Sequence, residues 1–358
     1  MSIDAIQEAR RQTEICNACR YCEGFCSVFP ALTRQKAFAD GDISHLANLC
    51  HNCRGCYYSC QYTEPHEFAL NFPAALAEVR QESWERLAWP QPLARRFHES
   101  GVALAVVLVA ALAVIFALIQ MLPPTSGKGF YAYLAHGALV AVFTPAFLLP
   151  LLSVAVSLRR YWQETGGTRL QLRDVIGGLR AAANLKNLNG GQGQGCNFEY
   201  EDRYSDTRRW LHQAVMYGFL LCFASTSSGT ILHYVMDIPA PYGFFSLPKL
   251  FGVPGGLLLT IGAIGLAVLK IKADPKLGAV RVWGGEMAFI LLLGATGATG
   301  LALYAATGTV GVPLLLAIHL GSVLALFLLL PFSKMVHGFY RLSALIVEHQ
   351  KTRASRIE

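Results

Sequence analysis

Charged residues are scarce in this chain. Asp, Glu, Lys and Arg make up 15% of its 358 residues, whereas a soluble domain contains about 25%. Several enzyme fingerprints are also missing: the sequence has no G-x-G-x-x-G dinucleotide motif, no phosphate loop ending in GK[ST], no nucleophile elbow and no zinc-protease motif. These absences argue against chemistry on an organic substrate within the chain, and the low charge predicts a membrane protein.

The net charge of +7 does not indicate a nucleic-acid partner. The basic residues lie between long apolar stretches, where membrane topology accounts for them. Residues 1–15 lack the apolar core and the cleavage site of a secretory signal peptide, so we expect the N-terminal region to stay in the cytoplasm.

Eight of the ten cysteines fall into two runs within the first sixty residues. Both runs read C-x2-C-x2-C-x3-C, the spacing with which bacterial ferredoxins hold iron–sulfur clusters; three cysteines of a run hold one cluster and the fourth crosses to the other. The spacing is too dense for a structural zinc site, and a disulfide scaffold does not suit a reducing compartment. We therefore predict two [4Fe–4S] clusters with the ligands Cys16, Cys19, Cys22, Cys26, Cys50, Cys53, Cys56 and Cys60.

Six apolar stretches beyond residue 100 are long enough to cross a bilayer, which takes about 20 residues. They cover residues 101–122, 131–158, 211–236, 250–270, 287–306 and 312–332. Lys and Arg concentrate in the loops on the same side as the cysteine region, and the opposite loops hold only Lys128 and Lys249. The positive-inside rule then predicts a multi-pass protein of the cytoplasmic membrane with both termini in the cytoplasm.

Ionisable side chains inside a span are costly and mark functional sites. Five histidines lie in or at the ends of the predicted spans: His136, His212, His233, His319 and His337. We expect His212 and His337 near the cytoplasmic face and the other three near the outer face. His319 and His337 would lie roughly 27 Å apart on one side of span six, and span three would present His212 and His233 in the same way. Since imidazole is a common axial ligand of haem iron, we predict one or two b-type haems held by these histidines.

Other interpretations of these residues stay open. An interfacial histidine such as His98, His212 or His337 can also lie among lipid headgroups or bond a backbone carbonyl. His136 competes with His233 for the outer position, so a single haem is an alternative. Arg208 and Arg209 can pair with haem propionates, although the positive-inside rule explains them better.

Residues 189–196, NGGQGQGC, form a Gly-rich stretch between spans two and three. It does not match a nucleotide-binding loop, so we expect a flexible cytoplasmic segment where the cysteine domain or a partner docks. Cys196 is expected to be a free cysteine, with a role as a ligand or a docking residue as the alternative. Cys222, within span three, is expected to be a small apolar packing residue.

The whole chain resembles the tricarballylate/citrate-utilisation protein B family. The resemblance is carried by CNACRYCEGFC, by CHNCRGCYYSCQYTEPHEFALNFP, by the GQGC segment and by RRWLHQAVMYGFLLCF at the start of span three. The N-terminal part also resembles the α-helical ferredoxin domains of succinate dehydrogenase iron–sulfur subunits and of heterodisulfide-reductase-type subunits. Ser27 and Gln61 stand where ferredoxins usually have proline after the fourth cysteine, and this departure points to such a variant ferredoxin.

The expected fold is mainly α: an N-terminal α-helical ferredoxin-like domain with two [4Fe–4S] clusters, followed by a six-helix transmembrane haem-binding bundle. The expected domains are a cytoplasmic dicluster domain at 1–95, a six-span domain at 96–337 with a cytoplasmic Gly-rich loop at 159–210, and a basic cytoplasmic tail at 338–358.

The resemblance implies an electron-transfer protein. Members of the family reoxidise the FADH2 of a soluble FAD-dependent dehydrogenase of the tricarballylate dehydrogenase type and pass the electrons to the quinone pool. The implied partners are this flavoprotein, a membrane quinone and the bilayer. Alternatives are the same relay with a precorrin-modifying flavoprotein or a heterodisulfide-reductase-like donor, and a membrane sensor or transporter regulated by an iron–sulfur domain. A transporter is disfavoured because the polar residues lie at two haem-like depths and not at the midplane.

Overall fold

The computed structural model describes residues 4–122, 127, 129–197 and 203–356, without the side chain of His98. The proposed headgroup role of His98 and the loop charge of Lys128 lie outside the described residues. Helices account for 73% of the structure, and its described residues form no sheet. The prediction of a mainly α-helical fold is therefore confirmed.

In the described part of the N-terminal domain, five helices surround the cysteine runs. They are α1 Ala5–Cys19, α2 Phe29–Thr33, α3 Asp40–Leu49, α4 Gly55–Tyr58 and α5 Phe72–Leu87. The side chain of Asp4 caps α1 by accepting from the Ile6 N–H, and Asn71 caps α5 by accepting from the Ala74 N–H. Helices α1 and α3 both pack on α5, so the cysteine runs that follow them are brought together.

Eight more helices follow in the described residues. They are α6 Gln91–Ile119, α7 His136–Glu164, α8 Leu172–Ala183, α9 Thr207–Tyr234, α10 Leu247–Lys272, α11 Trp283–Ala305, α12 Val312–Leu329 and α13 Val336–Ala354. All except α8 and α13 are long and apolar enough to span a membrane. The six spans predicted from the apolar stretches are thus confirmed as helices.

Small residues let the spanning helices approach closely. A Cβ atom on Gly218 of α9 would lie 2.5 Å from the backbone nitrogen of Leu259 on α10. A Cβ atom on Gly101 of α6 would lie 2.7 Å from the Cα of Gly285 on α11. Helix α6 also bends at Ser100, whose backbone is not helical, just before its apolar part begins.

The N-terminal domain packs on one end of the helix bundle, which we call the proximal end; the opposite end is the distal end. Arg86 pairs with Glu164 at the end of α7 at 2.7 Å, and Glu85 pairs with Arg281 at 3.1 Å, just before α11. The side chain of Asn52 donates to the Leu277 carbonyl at 2.8 Å. Helix α5 and the second cysteine run are therefore held directly against the proximal end of the bundle.

Most of residues 338–358, expected to be a basic tail, belong to α13. This helix packs on α8, α3 and α7, and Tyr340, Ala344 and Val347 on it are completely buried. Its Glu348 forms an ion pair with Arg34, and its Arg353 pairs with Asp174 of α8 at 3.0 Å. The helix thus contributes to the same core as the cysteine domain.

Candidate functional site

Each cysteine run begins at the C-terminal end of a helix and then turns through a left-handed residue. Cys16 and Cys19 lie in the last turn of α1, whereas Cys50 immediately follows α3. Arg20, directly after Cys19, has φ of 56°, and Arg54, in the same position of the second run, has φ of 68°. The equal spacing of the runs thus produces the same turn twice, and this turn carries the later cysteines back towards the earlier ones.

The first group of sulfurs combines both runs. Three cysteines of the first run and the last cysteine of the second line one cavity, together with Tyr21 and Gln61: Cys16, Cys19, Cys22 and Cys60. Tyr21 is 65% exposed, so this cavity lies close to solvent. We call these four cysteines the first site.

The remaining four cysteines, Cys26, Cys50, Cys53 and Cys56, form a second group, which we call the second site. Cys26 and Cys56 share a hydrogen bond, and the charge of Cys50 acts on both Cys53 and Cys56. Three of the four are buried, and Cys50 is half-buried. The structure therefore assembles the eight cysteines in the crossed arrangement that the spacing predicts, with one group near the surface and the other deep in the domain.

The donor set of both sites fits iron–sulfur clusters, because four thiols meet at each site. Backbone N–H groups also point at sulfur: that of Asn52 donates to Cys50 Sγ at 3.4 Å, and that of Tyr62 donates to Cys60 Sγ at 3.3 Å. Such hydrogen bonds to sulfur tune the potential of a cluster. Among the described residues, no three His, Cys, Asp or Glu side chains are arranged to hold a single metal ion.

Burial makes the metal-free thiols weak acids. It raises the pKa of Cys22 to about 12, and the neighbouring charges of Cys26 and Cys60 act in the same direction. Burial followed by the charge of Cys196 raises the pKa of Cys53 far above its ordinary value. Metal binding must displace these protons, so cluster assembly and proton release are coupled.

The Gly-rich stretch closes over the second site. The N–H of Gly191 donates to the Phe25 carbonyl at 3.3 Å, and the N–H of Asn197 donates to the Cys53 carbonyl at 2.9 Å. Cys196 is buried beside Cys53, and its thiol donates to the Leu188 carbonyl at 3.3 Å. The Gly-rich segment therefore contacts the cysteine domain, as expected from the sequence.

Four of the five predicted histidines form two pairs at opposite ends of the bundle. His136 of α7 and His233 of α9 form the distal pair, with ring centroids 4.3 Å apart. His212 of α9 and His337 of α13 form the proximal pair, with ring centroids 5.8 Å apart. The fifth, His319, lies 3.1 Å from the Thr299 hydroxyl through its Nδ1 atom.

Several imidazole nitrogens in these pairs are available to bind a metal. Nδ1 of His212 and Nδ1 of His233 are buried without a hydrogen-bond partner among the described residues. In His337 the Nδ1–H donates to the Lys334 carbonyl, which fixes the tautomer and leaves Nε2 free to bind a metal. His136 differs, because its Nε2 is 2.7 Å from the Tyr234 hydroxyl.

Residues 98–358 match the family described as citrate utilization protein B, and residues 9–85 match its Fer4-like domain. The citrate utilization protein B of Escherichia coli is 42% identical over 346 residues, which cover 95% of this chain and 90% of the relative. The chain belongs to the citrate utilization protein B family. No solved structure matches it.

Membership of the family supports the interpretation of the N-terminal region as an iron–sulfur domain, since the matched Fer4-like segment contains both cysteine runs. It also agrees with a multi-pass membrane protein, because the six spanning helices lie within the second matched segment.

Sequence reasoning placed His319 and His337 on one helix, and this was wrong. Helix α12 ends at Leu329, next to Leu330 and Pro331, and His337 is the second residue of α13. Proline removes a backbone donor and restricts the residue before it, so Pro331 is the signal that could have shown the break.

His51 was overlooked, although it lies between Cys50 and Asn52. Its Nδ1 is 2.9 Å from the Leu49 carbonyl. Burial, then the charge of Arg341, holds the pKa of His51 well below its ordinary value, and the charge of His212 contributes. His51 therefore stays neutral, next to Cys50 of the second site and under the electrostatic influence of His212 of the proximal pair. Its position next to a ligand cysteine was the available signal.

Proposed function

We propose that this chain carries electrons from the FADH2 of a soluble FAD-dependent dehydrogenase to a membrane quinone, through two [4Fe–4S] clusters and b-type haem. The family and its Fer4-like domain indicate electron transfer in citrate or tricarballylate utilisation. The observation that carries the proposal is the arrangement of the cysteines: the first site opens to solvent, and the second lies against the bundle, close to the proximal histidines.

Clusters at these sites supply one-electron carriers between a two-electron flavin and the membrane. Cys16, Cys19, Cys22 and Cys60 would hold the first cluster, and exposed Tyr21 beside them marks the face that receives the donor. The other four cysteines, Cys26, Cys50, Cys53 and Cys56, would hold the second cluster. Arg208, four residues before His212, donates to the Asn52 carbonyl at 2.8 Å, so this cluster would lie close to the proximal pair.

The proximal and distal pairs are the proposed haem ligands: His212 with His337, and His136 with His233. Each pair brings imidazoles of two different helices together, as bis-histidine ligation requires. His319 faces Thr299 and Gly300 on α11, so we propose the other four histidines as haem ligands in place of the predicted ligand His319. We propose the same domain boundaries as the sequence analysis, with the dicluster domain at 1–95 and the bundle at 96–337. The proximal end of the bundle would face the cytoplasm.

Optical and EPR spectra of the detergent-purified protein, oxidised and then reduced with dithionite, test this function. We expect a haem α-band and the low-temperature signals of two [4Fe–4S] clusters. Replacing Cys53 by Ser should alter only the second cluster's signal, whereas the matched change Cys222→Ser, in the middle of α9, should leave all signals as they are.

Added flavoprotein donor and a quinone analogue then test the direction of flow. The haem band should appear on mixing with the reduced donor and fade when the quinone analogue is added. Spectra without cluster signals would refute the proposal, and cluster signals without haem would leave the histidine pairs without their proposed role.

A further inference from the structure

Two arginines, buried Arg80 and half-buried Arg341, contact the C-terminal end of α3 at the second site. The last carbonyls of a helix lack intrahelical partners and carry its partial negative charge. Arg80 donates to the carbonyls of Ala47 at 3.1 Å and Cys50 at 2.8 Å, and Arg341 of α13 donates to that of Asn48 at 3.4 Å. Two cations therefore stand where α3 would otherwise present negative charge to the second site.

Direct ion pairs do not neutralise these two cations. In the described part of the chain, neither Arg80 nor Arg341 forms an ion pair with Asp or Glu. Burial, reinforced by the charge of Arg80, lowers the pKa of Arg341 well below its ordinary value, whereas the charges of Cys50 and, at longer range, Glu286 act in the opposite direction. Because a guanidinium keeps its proton in proteins, the lowered pKa indicates a desolvated positive charge that a nearby negative charge would stabilise.

A third arginine gives the two sites different electrostatic surroundings. Arg54 follows Cys53 in the second run and is buried, with 4% of its surface exposed. Arg20 holds the same position in the first run but is exposed. Water and salt screen an exposed charge, whereas a buried charge acts at nearly full strength over the same distance.

From this difference we infer that Arg54, Arg80 and Arg341 give a cluster at the second site a higher reduction potential than a cluster at the first. The inference rests on the proposed function, since it requires both clusters. Four thiolates leave a cluster negatively charged, and reduction adds a further negative charge, so buried cations stabilise the reduced form more than the oxidised form. The arginines thereby direct electrons from the exposed first site to the second.

An EPR-monitored redox titration of the full-length protein in detergent tests the inference. Cys19→Ser identifies the signal of the first cluster by changing it. In Arg341→Gln we expect the ratio of reduced to oxidised second cluster at a fixed potential to fall at least tenfold, which is 59 mV for one electron. The first cluster should keep its potential.

Two further variants separate charge from structure. Arg341→Lys keeps the cation but not the guanidinium geometry, so the second cluster should keep a potential close to that of the unchanged protein. Arg353→Gln removes a cation from the same helix, where it pairs with Asp174 away from the cysteines, and should shift neither cluster.

The inference is overturned if the second cluster has the lower potential in the unchanged protein, or if Arg341→Gln with full iron content leaves its potential unchanged. If Arg341→Gln loses iron, the order of the two potentials in the unchanged protein decides between support and refutation. Absence of both cluster signals from the unchanged protein would refute the proposed function instead, so the two failures are distinguishable.

Discussion

Glu286 joins three parts of the bundle at its proximal end. This side chain of α11 pairs with Lys270 of α10 and, at 2.6 Å, with Lys334 in the segment between α12 and α13. The side chains of Glu286, Lys270 and Lys334 are only 19%, 12% and 29% exposed. Replacing Glu286 by Gln would leave two lysines facing each other with little water to solvate them.

The expected loss of stability follows from these contacts. At an effective dielectric constant of about 20, a pair at 2.6 Å attracts with about 6 kcal/mol, but desolvation offsets most of this. Removing one partner of a buried pair costs about 3–5 kcal/mol because a charge is left without compensation. Since Lys334 keeps some contact with solvent, we expect Glu286→Gln to lower the free energy of unfolding by about 3 kcal/mol.

Unfolding by SDS in mixed micelles, followed by circular dichroism and extrapolated linearly, measures this quantity. The matched control is Glu99→Gln, which breaks the exposed pair with Arg95 at 3.1 Å and should change stability very little. The double variant Glu286→Gln with Lys334→Met removes one of the stranded lysines, so part of the lost stability should return.

A loss below about 1 kcal/mol relative to the Glu99→Gln control would show that the three-residue cluster is solvated like a surface pair. A double variant less stable than Glu286→Gln alone would contradict the argument in a second way, because it would show that Lys334 stabilises the protein without its carboxylate partner.

Three further predictions address the loop, the histidines and the helix packing. Gly195→Ala should open the β-bridge between Cys196 and Ser205, because φ of Gly195 is 91° and the new Cβ would lie 2.3 Å from the Ser205 carbonyl oxygen. We expect this variant to lose iron faster in air. Iron retention equal to that of the control Gly284→Ala would contradict the prediction. His136→Ala should remove one haem, whereas His319→Ala should retain two haems per protein, as measured by the pyridine haemochrome assay. The reverse result would transfer the role of distal haem ligand from His136 to His319. Gly218→Ala should destabilise the α9–α10 contact by about 1–3 kcal/mol, whereas Gly284→Ala, with open space at its Cβ, should not. Equal midpoints of SDS-induced unfolding for the two variants would count against close packing at Gly218.

The cysteine grouping could be expected from sequence because it depends on local spacing. Two identical runs place identical turns after α1 and α3, and Arg20 and Arg54 take the same left-handed conformation. The spans could be expected for a similar reason, since a long apolar stretch has few alternatives in a bilayer. Their ends were less accurate: α7 continues to Glu164, beyond the predicted residue 158, because a helix can extend past the hydrocarbon region on polar residues.

The partners of the histidines could not be read from sequence in the same way. Depth follows from position along a span, and it correctly separates His212 from His233. Partnership depends on how each helix is rotated and on where α12 stops, and neither is encoded in hydropathy. His337 reaches His212 only because the chain breaks after Leu329 and restarts as α13. The same tertiary step brings Arg341 to the end of α3, from 293 residues away in sequence.

Helix α9 limits how the histidine pairs can be used. It contributes His212 to the proximal pair and His233 to the distal pair, and these residues are 21 positions, or roughly 32 Å, apart along the helix. This distance is close to the hydrocarbon thickness of a bilayer, about 30 Å. One haem cannot contact both pairs over such a distance, so a protein with a single haem would leave one pair without iron. Because α9 is one continuous helix from Thr207 to Tyr234 and packs closely on α10 through Gly218, the two pairs cannot approach each other, and the number of haems per protein tells whether both pairs hold iron.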